Sequence, residues 1–120
     1  LIGLELGVSV AAVACRGEAT GCARNFVADV VATAKRDLKA GEILDGEGGA
    51  TVYGRLMPAA AAQQLGGLPL GLAHNVRLKN PVKRGQAVRW ADAAVDEAAL
   101  AVRVRRDMER RFSASRQAAE

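Results

Sequence analysis

Shifted by 44 positions, the chain meets its own pattern. Lys35-Arg36-Asp37-Leu38-Lys39-Ala40-Gly41-Glu42-Ile43-Leu44 falls on Lys79-Asn80-Pro81-Val82-Lys83-Arg84-Gly85-Gln86-Ala87-Val88. Both copies read Lys, two variable residues, an aliphatic residue, Lys, any residue, Gly, Glu or Gln, any residue, and a second aliphatic residue. A solenoid needs about three or more units to bury its faces, so two copies point to a pseudo-symmetric pair of turns within one β domain. Gly41 is expected at a positive φ, which glycine adopts without steric cost, so that Leu38 and Leu44 reverse onto one interior. Gly85 takes the same part in the second copy.

The rest of the composition limits what surrounds those turns. With 120 residues, half of them apolar, the chain supports one hydrophobic core. Its aromatics are Phe26, Tyr53, Trp90 and Phe112, so that core must be aliphatic. No apolar run reaches the roughly 18 residues of a membrane-spanning helix. Thirteen glycines without a collagen period, and only three prolines, exclude fibrous and disordered classes.

Residues 4–16 read as one helix, with Leu4, Val8, Ala11, Ala12 and Cys15 at spacings of three and four and Gly17 available for a left-handed end. Residues 17–25 form a linker. Phe26, Val27, Val30, Val31 and Thr33 predict a strand running into Lys35-Arg36-Asp37. Asp45 to Gly49 is a loop, Val52 and Tyr53 a short strand followed by Gly54, and Pro58 to Leu65 a helix stopped by Gly66-Gly67. Leu68 to Leu72, broken by Pro69 and Gly71, is expected as a buried irregular segment. Trp90 is expected at the core or its rim. Asp96 stands where the N-cap of a C-terminal amphipathic helix belongs. Its stripe of Ala101, Val104, Met108 and Phe112 is expected to dock on this chain or a partner, with a polar tail from Ser113. The predicted fold class is mainly β with flanking helices (α+β).

Charge gives one candidate site. Arg77, Lys79, Lys83, Arg84 and Arg89 fall between Ala73 and Ala91, where no acid occurs. Cations alternating along a strand keep a sheet face solvated, and without interleaved aromatics to stack bases no nucleic-acid partner is expected. His74, just ahead of that basic strand, joins Arg77 and Lys79 as a candidate contact for a phosphate or sugar acid. The competing reading is a histidine hydrogen-bonded within its loop. Tyr53 is assigned to packing.

Cys15, Cys22 and the single histidine fall short of the clustered ligands of a zinc site, so no metal is expected. Both cysteines are expected as small reduced core residues. Gly46, Gly48 and Gly49 neither follow a buried strand nor open a helix, as a dinucleotide-binding Gly-x-Gly-x-x-Gly would. No Ser-His-Asp or Cys-His spacing assigns a catalytic residue. The opening LIGLELGVSVAAVAC lacks a basic leader segment and carries Glu5 within its apolar run, so it reads as an internal piece of a longer chain.

With both Lys-x-Gly turns, the segment from Val30 to Asp92 resembles the SAF domain. This β-clip module is also found in antifreeze-like domains of sialic acid synthases, altronate dehydratases and flagellar P-ring assembly chaperones. VADVVATAKRDLKAGEILDGEGG, TVYGRLMPA, GGLPLGLAHNVRLK and GQAVRWADAAVDE are similar to the C-terminal region of bacterial NAD(P)-dependent oxidoreductases. Their dinucleotide domain is homoserine-dehydrogenase-like, and the group includes 1-deoxy-D-xylulose 5-phosphate reductoisomerase-like enzymes. The resemblance implies that residues 1–25 end a preceding catalytic domain, 26–95 form the SAF module, and 96–120 are a C-terminal helix and tail. It further implies a cytoplasmic parent enzyme using NAD(P), with no cofactor held by this chain. The partners would be the upstream catalytic domain and further copies in a homo-oligomer, not a membrane. The alternatives are a secreted SAF-type chaperone of flagellar or pilus assembly, and a small sugar-acid or phosphate binder.

Overall fold

The computed structural model describes residues 3, 5–21 and 24–117. In chain order the regular elements are α1 (Leu6–Arg16), β1 (Ala28–Ala34), β2 (Ile43–Asp45), β3 (Val52–Pro58), α2 (Ala59–Leu65), β4 (His74–Leu78), β5 (Ala93–Ala94) and α3 (Leu100–Gln117). Single 3-10 turns sit at Leu70–Leu72 and Trp90–Asp92. β1 pairs antiparallel with β3, while β2, β4 and β5 form a second antiparallel sheet in that order. This is the expected α+β arrangement with helices at both ends.

The two copies of the repeat fold into equivalent bends facing each other. Leu38 and Val82 exchange both backbone hydrogen bonds, at 2.8 and 3.0 Å. The Gly41 N–H donates to the Leu78 carbonyl and the Gly85 N–H to the Ala34 carbonyl, each at 2.8 Å. Ala34 N–H donates to Gln86 and Leu78 N–H to Glu42, at 2.9 and 2.8 Å. Every one of these bonds maps onto its counterpart when 44 is added to one residue and subtracted from the other, which is the signature of a two-fold axis between Leu38 and Val82. Gly41 and Gly85 both lie in the left-handed region, at φ 85° and 78°. Residues with a Cβ rarely hold that conformation.

Between the bends lies an aliphatic core that includes Leu38, Leu44, Val52, Leu68, Leu78, Val82 and Val88, with Trp90 packed at its rim. Leu38 and Leu44 share this interior, as the first bend requires. Leu68 is fully buried and Pro69 bridges to Val31, so the stretch starts inside without forming a strand, but its Leu70–Leu72 turn is only half-buried and Gly71 is exposed.

Several boundaries differ from expectation. β1 begins at Ala28, and Phe26 instead tilts against Phe112, with ring centroids 6.3 Å apart. Gly54 does not end its strand, because β3 continues to Pro58. A Cβ there would come within 2.6 Å of Val30 Cγ1 and 2.8 Å of Leu70 Cδ2, so the missing side chain makes room for the neighbours. The basic strand stops at Leu78, which puts Lys83 and Arg84 in the second bend, outside any alternating strand. Asp96 caps a turn ahead of α3, its carboxylate accepting the Ala98 N–H at 2.9 Å.

α3 docks through only part of the stripe read in the sequence. Val102 is buried and Arg105, Arg106, Met108, Glu109 and Phe112 are half-buried, so two of the four stripe residues dock, whereas Ala101 and Val104 are exposed. The guanidinium of Arg105 grips the buried Asp29 of β1, and this pairing turns the helix away from its purely apolar stripe.

At the other end, α1 closes on Gly17 at φ 64°, as the sequence suggested. Of its residues only Ala12 is buried. Cys15 is exposed, so the expectation of a core cysteine fails for it; Cys22 and Leu4 lie outside the described residues. No helix among the described residues is long and apolar enough to cross a membrane.

Candidate functional site

The residues singled out in the sequence lie on and just after β4. The register sets His74 opposite Asp45 and Arg77 opposite Ile43. His74 Nδ1 is 3.1 Å from the Asp45 carbonyl oxygen, and Arg77 Nη1 donates to the Gly41 carbonyl at 2.7 Å. The two side chains are therefore tied to opposite ends of the β2 segment. Lys79 is exposed just past the strand, its backbone N–H donating to the Asp92 carbonyl at 2.7 Å.

Asp45 organises the glycine-rich loop after β2. Its carboxylate accepts the Ala50 N–H at 2.6 Å, the Thr51 N–H at 3.0 Å and the Thr51 hydroxyl. The Thr51 hydroxyl bond, joined by these backbone donors and opposed by desolvation, brings the carboxyl down to about 2. Gly49 has no room for a side chain, since a Cβ would stand 2.1 Å from the Asp45 carboxyl carbon. The loop thus closes on the Asp45 carboxylate, which finds its partners within it. Among the described residues, no group of three His, Cys, Asp or Glu side chains is placed to hold a metal ion.

A second feature was not legible as a site from local sequence. Beside the second bend lies an open cleft of about 480 Å³, lined by Arg55 of β3 together with Gln86 and Arg89. Met57, Leu65 and Val82 supply its apolar lining. Arg55 and Arg89 are both exposed, and neither guanidinium enters an ion pair among the described residues. Asp92 also lines the cleft, its carboxylate occupied by Asn80 Nδ2 at 3.1 Å and the Arg89 N–H at 3.2 Å.

A third surface is α1, on which Leu6, Val10 and Val13 recur at spacings of four and three and are 60–69% exposed. Val8 beside them is equally bare. The chain therefore offers an anchored basic strand, a cationic cleft and an uncovered aliphatic helix.

No curated protein matches the chain. The family model of the SAF domain matches residues 29–94, from Asp29 at the start of β1 to Ala94 at the end of β5. With both symmetric bends inside a match that covers more than half of its length, the chain belongs to the SAF domain family.

Proposed function

We propose that this chain is the C-terminal SAF portion of an NAD(P)-dependent oxidoreductase with a homoserine-dehydrogenase-like dinucleotide domain. In this reading it packs on the catalytic domain or holds a homo-oligomer together, and is catalytically inert alone. The observation that carries the reading is α1. Eleven residues are too few for a stable helix in water, and helices of this length normally persist by burying an apolar face. The face of Leu6, Val10 and Val13 is uncovered, which fits a helix whose packing partner is a preceding domain. The choice of parent enzyme rests on the resemblance read from VADVVATAKRDLKAGEILDGEGG and GQAVRWADAAVDE alone. NAD(P) would be bound upstream, in the cytoplasm, and the residues of this chain would shape or steady the assembly.

Intact-mass measurement of the native polypeptide, captured with an antibody against this chain, tests the reading together with NADPH fluorescence. The expected product exceeds 12.5 kDa by at least one further domain, about 15 kDa or more, and binds NADPH, whereas the 120-residue chain does not. A native product extended only by a secretory leader would favour an assembly chaperone. Turnover of a sugar phosphate by the 120-residue chain alone would contradict its inertness.

A further inference from the structure

The two-fold relation between the bends gives each half of the fold an internal control. Both halves make the same backbone hydrogen bonds, so a side chain that differs between equivalent positions is not dictated by the bend itself. Two such positions differ in one direction, and so does one just past the repeat, where the backbone pairing diverges. Where the first copy carries Asp37, Glu42 and Asp45, the second carries Pro81, Gln86 and Arg89. The first three are bound into their own surroundings: Asp37 to Lys83 and the Arg84 N–H, Glu42 to Arg36 and the Lys39 N–H, and Asp45 to its loop. Their counterparts all line the cleft. Gln86 keeps the turn-closing role of Glu42, its Oε1 accepting the Lys83 N–H at 3.3 Å, but without the charge.

The second half has thus lost every carboxylate at these positions and gained a guanidinium, and β3 brings Arg55 to the same cleft. Two arginines in no ion pair beside an apolar lining suit a ligand with an anionic head and a compact organic body. A guanidinium meets a carboxylate or phosphate through paired N–H donors, and the amide nitrogen of Gln86 adds a neutral donor. Asp92 supplies one opposing charge, which disfavours an anionic ligand, but the two arginines outnumber it and leave the lining net positive.

We infer that the cleft between Arg55 and Arg89 binds a small organic anion, a carboxylate or phosphate ester carried on a sugar-sized body. The site is distinct from the His74, Arg77 and Lys79 set, and the inference stands whether or not the parent is an oxidoreductase.

The test is an amide NMR titration of the 120-residue chain with gluconate, glucose 6-phosphate and inorganic phosphate, with glucose as the uncharged comparison. Saturable shifts are expected at Arg55 and from Gln86 to Arg89 with gluconate or glucose 6-phosphate; which of the two binds tighter identifies the head group. Glucose should give none. Arg55→Gln and Arg89→Gln should each weaken binding about tenfold or more while leaving the rest of the spectrum in place. Arg77→Gln, at a guanidinium already held by the Gly41 carbonyl, should leave the affinity unchanged. The inference is overturned if no anionic probe saturates the cleft by about 10 mM. It is equally overturned if glucose binds as well as the anions, or if affinity depends on Arg77 and not on Arg55 and Arg89.

Discussion

The carboxylate of Asp29 in β1 and the guanidinium of Arg105 in α3 meet as a two-pronged pair, Nη1 donating to Oδ1 at 3.1 Å and Nη2 to Oδ2. Asp29 is buried and Arg105 half-buried, with side chains 7% and 15% exposed. Arg105 Nε also donates to Glu109 at 2.8 Å, and the guanidinium carbon stands 4.9 Å from the centre of the Phe26 ring. Burial alone would lower the Arg105 pKa, but the hydrogen bonds it donates to Asp29 and Glu109 outweigh it and raise the pKa above the ordinary guanidinium value. One charged residue thereby fixes how the last helix lies on the first strand.

Removing that residue leaves Asp29 buried without its counter-charge. Arg105→Met should destabilise the chain by about 3 kcal/mol in urea denaturation, because an orphaned buried carboxylate costs more than the pair contributes. Arg103→Met, on the exposed side of the same helix, should stay within about 0.5 kcal/mol. A loss below about 1 kcal/mol for Arg105→Met would mean that other contacts hold α3.

Gly41→Ala and Gly85→Ala test the equivalence of the bends. Neither position has an atom within 4 Å of the added Cβ, so the cost is the left-handed backbone alone. Each substitution should cost about 1–2 kcal/mol. The two values should agree within about 0.5 kcal/mol in thermal or urea unfolding. A large disparity would show that the bends are not energetically equivalent.

Gly67 is constrained by space instead. A Cβ there would lie 2.7 and 2.8 Å from the two methyls of Val31, which is fully buried and cannot yield. Gly67→Ala should cost about 1–3 kcal/mol. Gly71→Ala, facing open space, should change stability by less than about 0.5 kcal/mol in the same assay.

Acid should open the Asp45 clamp. The carboxyl titrates at about 2 in the folded chain against 3.8 when unperturbed, so the unfolded state takes up its proton first as pH falls. The stabilisation is complete above about pH 4 and is lost progressively as pH drops through about 2. Asp45→Asn should flatten the stability-against-pH curve across that window, measured by urea unfolding at stepped pH. An unchanged slope would place the acid sensitivity in Asp37 and Glu42, whose carboxyls are also lowered, the first by the Arg84 N–H and the second by Arg36.

Much of this fold is readable from local pattern. The Lys-x-Gly repeat announced two equivalent bends, Gly17 and Gly66 end their helices in the left-handed region, and Pro58 stands at the start of α2. These features depend on residues close in sequence. Arg105 defeated the same method, because its partner lies 76 positions away and an apolar stripe ignores a charge that docks inward. The cleft was hidden for a similar reason: Arg89 was visible within a basic run, but Arg55 joins it only through the pairing of β3 with β1. Comparing the copies position by position, Asp37, Glu42 and Asp45 against Pro81, Gln86 and Arg89, would have exposed the charge reversal from sequence.

The docking of α1 is tested most directly by amide hydrogen exchange, followed by mass spectrometry, on the native protein and on the 120-residue chain side by side. If α1 packs on a preceding domain, the amides from Val10 to Arg16 should exchange at least about tenfold more slowly in the native protein, while β1 and β4 exchange alike in both. Equal, fast exchange of α1 in the two samples would contradict the account.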